Sequence, residues 1–306
     1  MQKSKSFVIV NPTAANGRVG KDWPAVQQRL AGLGLEFDSR LTERPMHAAA
    51  IAREAALAGF DPIVAYGGDG TLMEVVNGLL TEPDRPSLAA LGIIPGGTGS
   101  DFVRTLGIPH DIPEACSRLV NGSERLVDAG HASFKGLDGS DRQLYFANVA
   151  GLGFDGEVIE RAQRSSKALG GTLTYLGNLL LTLISYENKL VSLQFDGSAQ
   201  QRRMNAVVVC NGRYFGGAMH VAPPADLQDG AFDLVLLGDF SKPELVANVP
   251  KIYKGTHLTH PKVQIHRAHQ IRVESHERML VQADGELIGQ APASFRIVPG
   301  VLRVIA

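Results

Sequence analysis

Two cysteines and one tryptophan in 306 residues leave little material for a disulfide or thiolate-metal framework. Cys116 and Cys210 suit a reducing cytoplasm and read as small buried apolar side chains. An excess of charge of one sign is equally lacking: 30 Lys and Arg against 31 Asp and Glu leave a net charge of −1, and no basic run or aromatic-interleaved stripe occurs, so no nucleic-acid partner is expected. Internal repeats and low-complexity tracts are absent. The start, Met1-Gln-Lys-Ser-Lys-Ser6, leads into a five-residue apolar strand rather than the longer apolar stretch of an export signal. The leucine-rich stretch Gly171–Ile184 falls short of the roughly 20 apolar residues that span a bilayer. It reads as a core helix, or as a wall for an acyl chain or a membrane-facing surface. His257-x-x-His260 and His266-x-x-His269 have no cysteine or Glu-rich partners, and in strands such spacing points to opposite faces, so zinc is not expected. A Walker A loop, G-x-x-x-x-G-K-[ST], is also missing.

Glycine, by contrast, is concentrated where it matters. The strand-like Pro62–Tyr66 runs into Gly67-Gly-Asp-Gly-Thr71 and then into a helix with Leu72, Val75, Val76, Leu79 and Leu80 along one face. Three glycines permit positive φ and close backbone approach, so N–H groups can converge on phosphate at a helix N-terminus. Asp69 would repel a bare phosphate, which points to a nucleotide carrying Mg²⁺. Thr71 reads as the N-cap and Glu74 as its capping-box partner, or as a nucleotide contact. A second strand, Leu88–Ile94, enters Pro95-Gly-Gly-Thr-Gly-Ser-Asp-Phe102, so two glycine loops leave two strands at one end of a sheet. Gly151-Leu-Gly153-Phe-Asp-Gly156 matches the dinucleotide pattern G-x-G-x-x-G but lies outside this series and reads as a turn.

Over the first ~125 residues strands alternate with helices: Ser6–Val10, a helix through Trp23–Leu33, Glu36–Leu41, a helix over His47–Ala58, then the two glycine-loop units. That predicts a doubly wound parallel sheet domain over 1–125. Short alternating runs follow at Gln143–Val149, Leu190–Phe195, Asn205–Cys210, Phe232–Leu237, Val263–His266, Ile271–Glu274 and Met279–Ala283. They predict an antiparallel β-sandwich-like domain over 126–291, with 292–306 returning to the first domain. Asp284-Gly285 fits a two-residue hairpin turn before Glu286–Gly289. Asp226 and Asp229, three apart, suit a solvated turn or one hard cation held by two carboxylates and a carbonyl. Asp128 is a further acidic candidate, or a strand-end cap.

Taken in order, Asn11-Pro12, Gly67–Thr71 with Glu74 and Asn77-Gly78, Pro95–Thr98 with Asp101-Phe102, Phe146–Asn148 with Gly151-x-Gly153, Asp226–Gly230 and Asp284–Glu286 resemble a known family across nearly the whole chain. It is the diacylglycerol kinase catalytic-domain family of soluble lipid kinases, with bacterial YegS-like and diacylglycerol kinase B-like members and the related sphingosine and ceramide kinases. The resemblance implies a fold like that of NAD kinase, with ATP and Mg²⁺ used to phosphorylate a lipid hydroxyl between the two domains. It places Asn11, Thr42, Gly68, Asp69, Gly70, Thr71, Leu72, Met73, Glu74 and Thr98 around ATP. It makes Glu286, in a partly buried site, the general base, with Asp69 in a water-linked catalytic network, and it puts Mg²⁺ on Asp226, Asp229 and the Ala231 carbonyl. A lipid drawn from a membrane, peripheral contact at the inner face, a cytoplasmic location and a homodimer come with it. Ser100-Asp101 stands where many relatives carry Asn-Asp. NAD kinase shares the Gly-Gly-Asp-Gly loop and is the alternative enzyme; a non-catalytic nucleotide- or lipid-binding protein is the other. Diacylglycerol, phosphatidylglycerol and long-chain amino-alcohols all present a suitable hydroxyl, and no motif reads the headgroup.

Overall fold

Strands β1 (Ser6–Val10), β2 (Phe37–Leu41), β3 (Ile63–Gly67) and β4 (Leu91–Pro95) pair in parallel in the order β4-β3-β1-β2. In the computed structural model, residues 5–81, 85–97, 99–164, 181–183 and 185–306 are described. Alternation along β1 and β3 sends Phe7, Ile9, Ile63 and Ala65 to one core and Val8, Val10, Val64 and Tyr66 to another, so both faces are covered. Helices α2 (His47–Leu57) and α3 (Asp69–Leu79) cover the first face, with Ile51, Leu72, Val75, Val76 and Leu79 inward. Helices α1 (Ala14–Gly32) and α5 (Ile112–Asn121) cover the second through Trp23, Val26, Leu30 and Leu119, and the short α4 (Asp101–Leu106) follows β4.

The antiparallel half contains β5 (Glu124–Lys135), β6 (Asp141–Phe146), β7 (Val149–Gly153), α6 (Phe154–Arg164), β8 (Lys189–Phe195), β9 (Ser198–Met204), β10 (Ala206–Cys210), β11 (Phe232–Leu237), α7 (Lys242–Tyr253), β12 (Val263–Ala268), β13 (Gln270–Glu274), β14 (Leu280–Ala283) and β15 (Glu286–Ile305). Phe146 stacks on Phe232 at 5.7 Å and meets Phe295 edge-on at 6.2 Å in its core. Both cysteines are buried and free.

The two halves share one hydrogen-bonded ladder, β12-β11-β10-β7-β14-β15-β4-β3-β1-β2. Strand β15 makes the link, pairing antiparallel with β14 and β5 and parallel with β4 through Val304 and Leu91. The terminal apolar stretch is the end of the strand that starts at Glu286, and its Val304 pairs with Leu91 of the parallel sheet.

The run Gln143–Val149 is not one strand. It breaks at Ala147-Asn148, where the Asp284 carboxylate takes the N–H groups of Ala147, Asn148 and Val149 at 2.8, 3.0 and 3.0 Å. Gly151–Gly156 is not a turn: it is the end of β7 and the start of α6. Thr98 and most of the leucine-rich segment lie outside the described residues; within it, Leu183 is buried and Leu181 exposed. No helix among the described residues is long and apolar enough to cross a membrane.

Candidate active site

Strands β3 and β4 are in register with Gly67 opposite Pro95, so their glycine loops emerge side by side at the carboxyl end of the sheet. The loops touch backbone to backbone. Gly96 N–H donates to Gly67 O at 2.8 Å, and a Cβ on Gly97 would stand 2.6 Å from Gly68 Cα. Close approach is thus what glycine supplies here; positive φ is not used by Gly67, Gly68, Gly70, Gly96, Gly97 or Gly99. Helix α3 begins at Asp69 with Gly68 as N-cap, so its first N–H groups face the crevice without intrahelical partners.

That start corrects the reading of Thr71 and Glu74. Thr71 lies inside the helix, buried, and its Oγ1 accepts from Asn11 Nδ2 at 2.9 Å, tying the end of β1 to the glycine loop. Glu74 reaches instead to the preceding helix, where it accepts the N–H groups of Met46 (2.8 Å) and Ala48 (3.0 Å) at the start of α2. Leu72 and Met73 are buried, and Thr42 N–H donates to Val10 O at 2.8 Å. Asn77 docks α3 on β6 by exchanging hydrogen bonds with the backbone of Tyr145 at 2.8 Å each.

Three carboxyls gather behind the loops. Asp69 Oδ2 accepts from Ser100 N–H at 2.9 Å, and burial together with Asp101 and Asp284 raises its pKa to about 7. Asp101 accepts from Gly217 N–H (2.9 Å) and Ala218 N–H (2.7 Å). Asp284 is raised to about 6 by burial, against the pull of its three N–H donors on residues 147–149. These carboxyls knit the loops around residues 67–71, 99–101, 146–149, 214–218 and 283–286 into one wall. The 211–220 loop was not anticipated; its signal in the sequence was Gly216-Gly217. Its Tyr214 stacks on His220 at 4.5 Å and lies 5.7 Å beneath the Arg104 guanidinium.

Glu286 opens β15 directly after the left-handed pair Asp284 (φ 47°) and Gly285 (φ 85°), the hairpin turn expected. Its carboxylate lies over the first turn of α3, where a Cβ on Gly70 would come 2.5 Å from Glu286 Oε1. The residue is exposed rather than partly buried.

Asp128 is no strand-end cap. It sits within β5, nearly fully buried, and accepts from Gly230 N–H (2.8 Å) and Gly300 N–H (2.7 Å), joining the acidic turn to an irregularity in β15. In that turn Asp226 accepts from Gln228 N–H and Asp229 from Ala231 N–H, both at 3.1 Å, while Arg267 donates to Asp229 Oδ2 at 2.6 Å. Asp233, beside them, is pushed up to about 6 by burial and has a buried oxygen without a partner among the described residues. The donors are all oxygens and the carboxylates outnumber Arg267, which fits a hard divalent cation. Among the described residues no three His, Cys, Asp or Glu side chains form a metal site, and the four histidines of the two spaced pairs are dispersed, with His257 bound to Val221 O at 3.0 Å and His269 to Asp196 at 2.8 Å.

Glycine loops at the carboxyl end of a parallel sheet, completed by a β-rich half, define a nucleotide-dependent phosphotransferase architecture. Residues 5–132 match the diacylglycerol kinase catalytic domain, and residues 148–306 match the YegS C-terminal NAD kinase beta sandwich-like domain. The chain is 33% identical to the diacylglycerol kinase of Bacillus subtilis (strain 168), over 95% of its own length and 92% of the relative's. A crystal structure of a Bacillus anthracis (strain Sterne) protein assigned as a diacylglycerol kinase superimposes with a TM-score of 0.81 at 27% identity, covering 100% of this chain and 96% of that one. Yeast NADH kinase, at 11% identity and a TM-score of 0.52 over 100% of this chain and 84% of that one, shares the fold alone. The chain belongs to the diacylglycerol kinase family and is a lipid kinase, with ATP as co-substrate and, as is typical of such kinases, a divalent metal.

Proposed function

We propose that the chain transfers the γ-phosphate of ATP to the hydroxyl of diacylglycerol or a closely related lipid where the glycine loops meet the Asp284–Glu286 turn. The observation that carries this reading is the Glu286 carboxylate lying over Gly70, one residue from Asp69 at the phosphate-facing end of α3. The N–H groups at the start of α3, with Gly68, Gly70 and Thr71, hold the phosphates, and Asn11 fixes Thr71. Thr42, Leu72, Met73 and Thr98 complete the nucleotide side, while Glu74 acts through the start of α2. Glu286 takes the proton of the lipid hydroxyl. An exposed glutamate is a weak base for an alcohol, so in this reading the bound lipid itself shields Glu286 and proton loss is concerted with transfer. Asp69, held by Ser100 N–H, brings negative charge to the rear of the site as it ionises around pH 7.

Asp226, Asp229 and the Ala231 carbonyl would hold Mg²⁺, which supplies charge neutralisation and rigidity between the acidic turn and the site. A lipid drawn from a bilayer implies peripheral contact at the inner membrane face by a cytoplasmic protein, and sedimentation of the purified chain tests the dimer that the resemblance implies. The primary test is transfer of γ-³²P from ATP with Mg²⁺ into a panel of lipids in mixed micelles, with NAD in parallel. Label in a lipid product with wild type and none with Glu286→Ala is expected; label in NAD alone would move the reading to an NAD kinase.

A further inference from the structure

The G-x-G-x-x-G string at Gly151–Gly156 holds no phosphate in the proposed reaction, yet each of its glycines is required by close approach. A Cβ on Gly151 would overlap Asp155 Oδ2 and stand 2.9 Å from Gln282 Nε2. One on Gly153 would come 2.6 Å from Asn205 O, and one on Gly156 2.7 Å from Leu280 Cβ. Gly151 and Gly156 press β7 and the start of α6 onto β14, while Gly153 admits the chain between β9 and β10. Gly151 also faces Gln282 across the ladder, which opens the space where the Asp155 carboxylate reaches that amide.

Gln282 is 1% exposed and bonded at both ends. Its Nε2 donates to Asp155 Oδ2 at 3.0 Å, and its Oε1 accepts from Gly285 N–H at 3.1 Å. An amide has one donating and one accepting end, whereas an ionised carboxylate only accepts. Asp155 therefore dictates which way Gln282 faces, and only that orientation presents an acceptor to Gly285. Gly285 is the second residue of the turn that delivers Glu286. Asp155 Oδ1 is buried and has no partner among the described residues. A buried carboxylate with an orphan oxygen costs stability relative to an apolar side chain of similar shape, a cost that its place in the first turn of α6, beside the Asp155 and Gly156 N–H groups, offsets only in part.

We propose that Asp155 is a positioning residue for phosphoryl transfer: acting through Gln282, it fixes the Asp284-Gly285 turn and so holds the Glu286 carboxylate over Gly70. The proposal rests on the reading of Glu286 as the base. Its test is therefore read both by turnover and by the Gly285 amide, followed by NMR shift and hydrogen exchange, in Asp155→Leu, Asp155→Asn, Gln282→Met, the Asp155→Leu/Gln282→Met double variant and Glu286→Ala.

Asp155→Leu is expected to lower kcat on the order of 10- to 100-fold with KM for ATP unchanged, and to speed Gly285 exchange. Asp155→Asn, whose Oδ1 still accepts from Gln282, is expected to retain both kcat and the Gly285 signal. The double variant is expected to be no worse than either single one, because both break one chain of contacts. Should Asp155→Leu fail to fold, Gln282→Met breaks the same chain from its other end. An unchanged Gly285 amide in the variants that break the chain overturns the proposal, as do additive losses or an Asn variant as damaged as the Leu one. Full turnover in Glu286→Ala overturns the reading of the base alone, since the Gly285 amide reports on the relay without any reaction.

Discussion

Glu286 and Gly70 meet across the junction of the two halves, with the glutamate's Oε1 2.5 Å from where a Cβ on the glycine would stand. The obstructing atom is the tip of a flexible side chain, so Gly70→Ala is expected to displace the carboxylate without unfolding the protein. Turnover should fall on the order of 10- to 100-fold while the urea midpoint stays near wild type. Equal loss of stability and activity would show that the contact is structural only.

Buried carboxyls give the protein an unusual dependence on pH. Asp69 is raised from 3.8 to about 7, and Asp155, Asp233 and Asp284 to about 6, chiefly by burial. Each folded-state carboxyl keeps its proton after the unfolded chain has lost it, so its contribution is fully present below 3.8 and declines as pH rises toward the folded value. His110, His220 and His257, lowered by burial, act in the opposite sense, so the informative quantity is a difference between proteins. Asp284→Asn is expected to gain stability relative to wild type between about pH 4 and 6, by no more than about 3 kcal/mol. Urea unfolding across that range checks the slope. If turnover needs Asp69 ionised, kcat should also rise as pH passes about 7, and Asp69→Asn should abolish the rise.

Glu74 holds two amides of a neighbouring helix, a capping arrangement that Ala removes. Glu74→Ala is expected to cost roughly 1 kcal/mol in urea unfolding, with kcat little changed, and Glu74→Gln to recover most of it. A selective rise in KM for ATP without loss of stability would instead assign Glu74 to the nucleotide.

Arg267 competes for Asp229, donating to its Oδ2 at 2.6 Å. Titration calorimetry with Mg²⁺ is therefore expected to show tighter binding by Arg267→Ala and weaker binding by Asp229→Ala. Unchanged binding by both variants would place the cation elsewhere.

Much of the parallel half was legible because its signals are local. Ser6–Val10 follows from an apolar run closed by Asn11-Pro12, the β3–α3 and β4–α4 units from apolar runs that lead into glycine, and the Asp284-Gly285 hairpin from turn chemistry. What could not be read depends on partners remote in sequence. The two amides held by Glu74 belong to residues 26 and 28 positions away, and the clamp of Asp284 reaches more than 130 residues back. Thr71 followed three residues later by Glu74 is a valid capping-box spacing, but an earlier cap at Gly68 overrides it. Strand β5 carries exposed and buried residues in an uneven pattern, because its pairing with β15 shifts register twice, and no simple alternation marks it.

Strand β15 begins at Glu286 and ends beside β4, whose loop lies against the phosphate-facing end of α3. In the proposed reaction, one length of backbone thus acts as a ruler between Glu286 and the two glycine loops. A hinge that swung the halves apart would have to break this ladder. Access for a bulky acceptor is accordingly expected through loop rearrangement at the rim, with the distance between the two reacting partners held constant through each turnover.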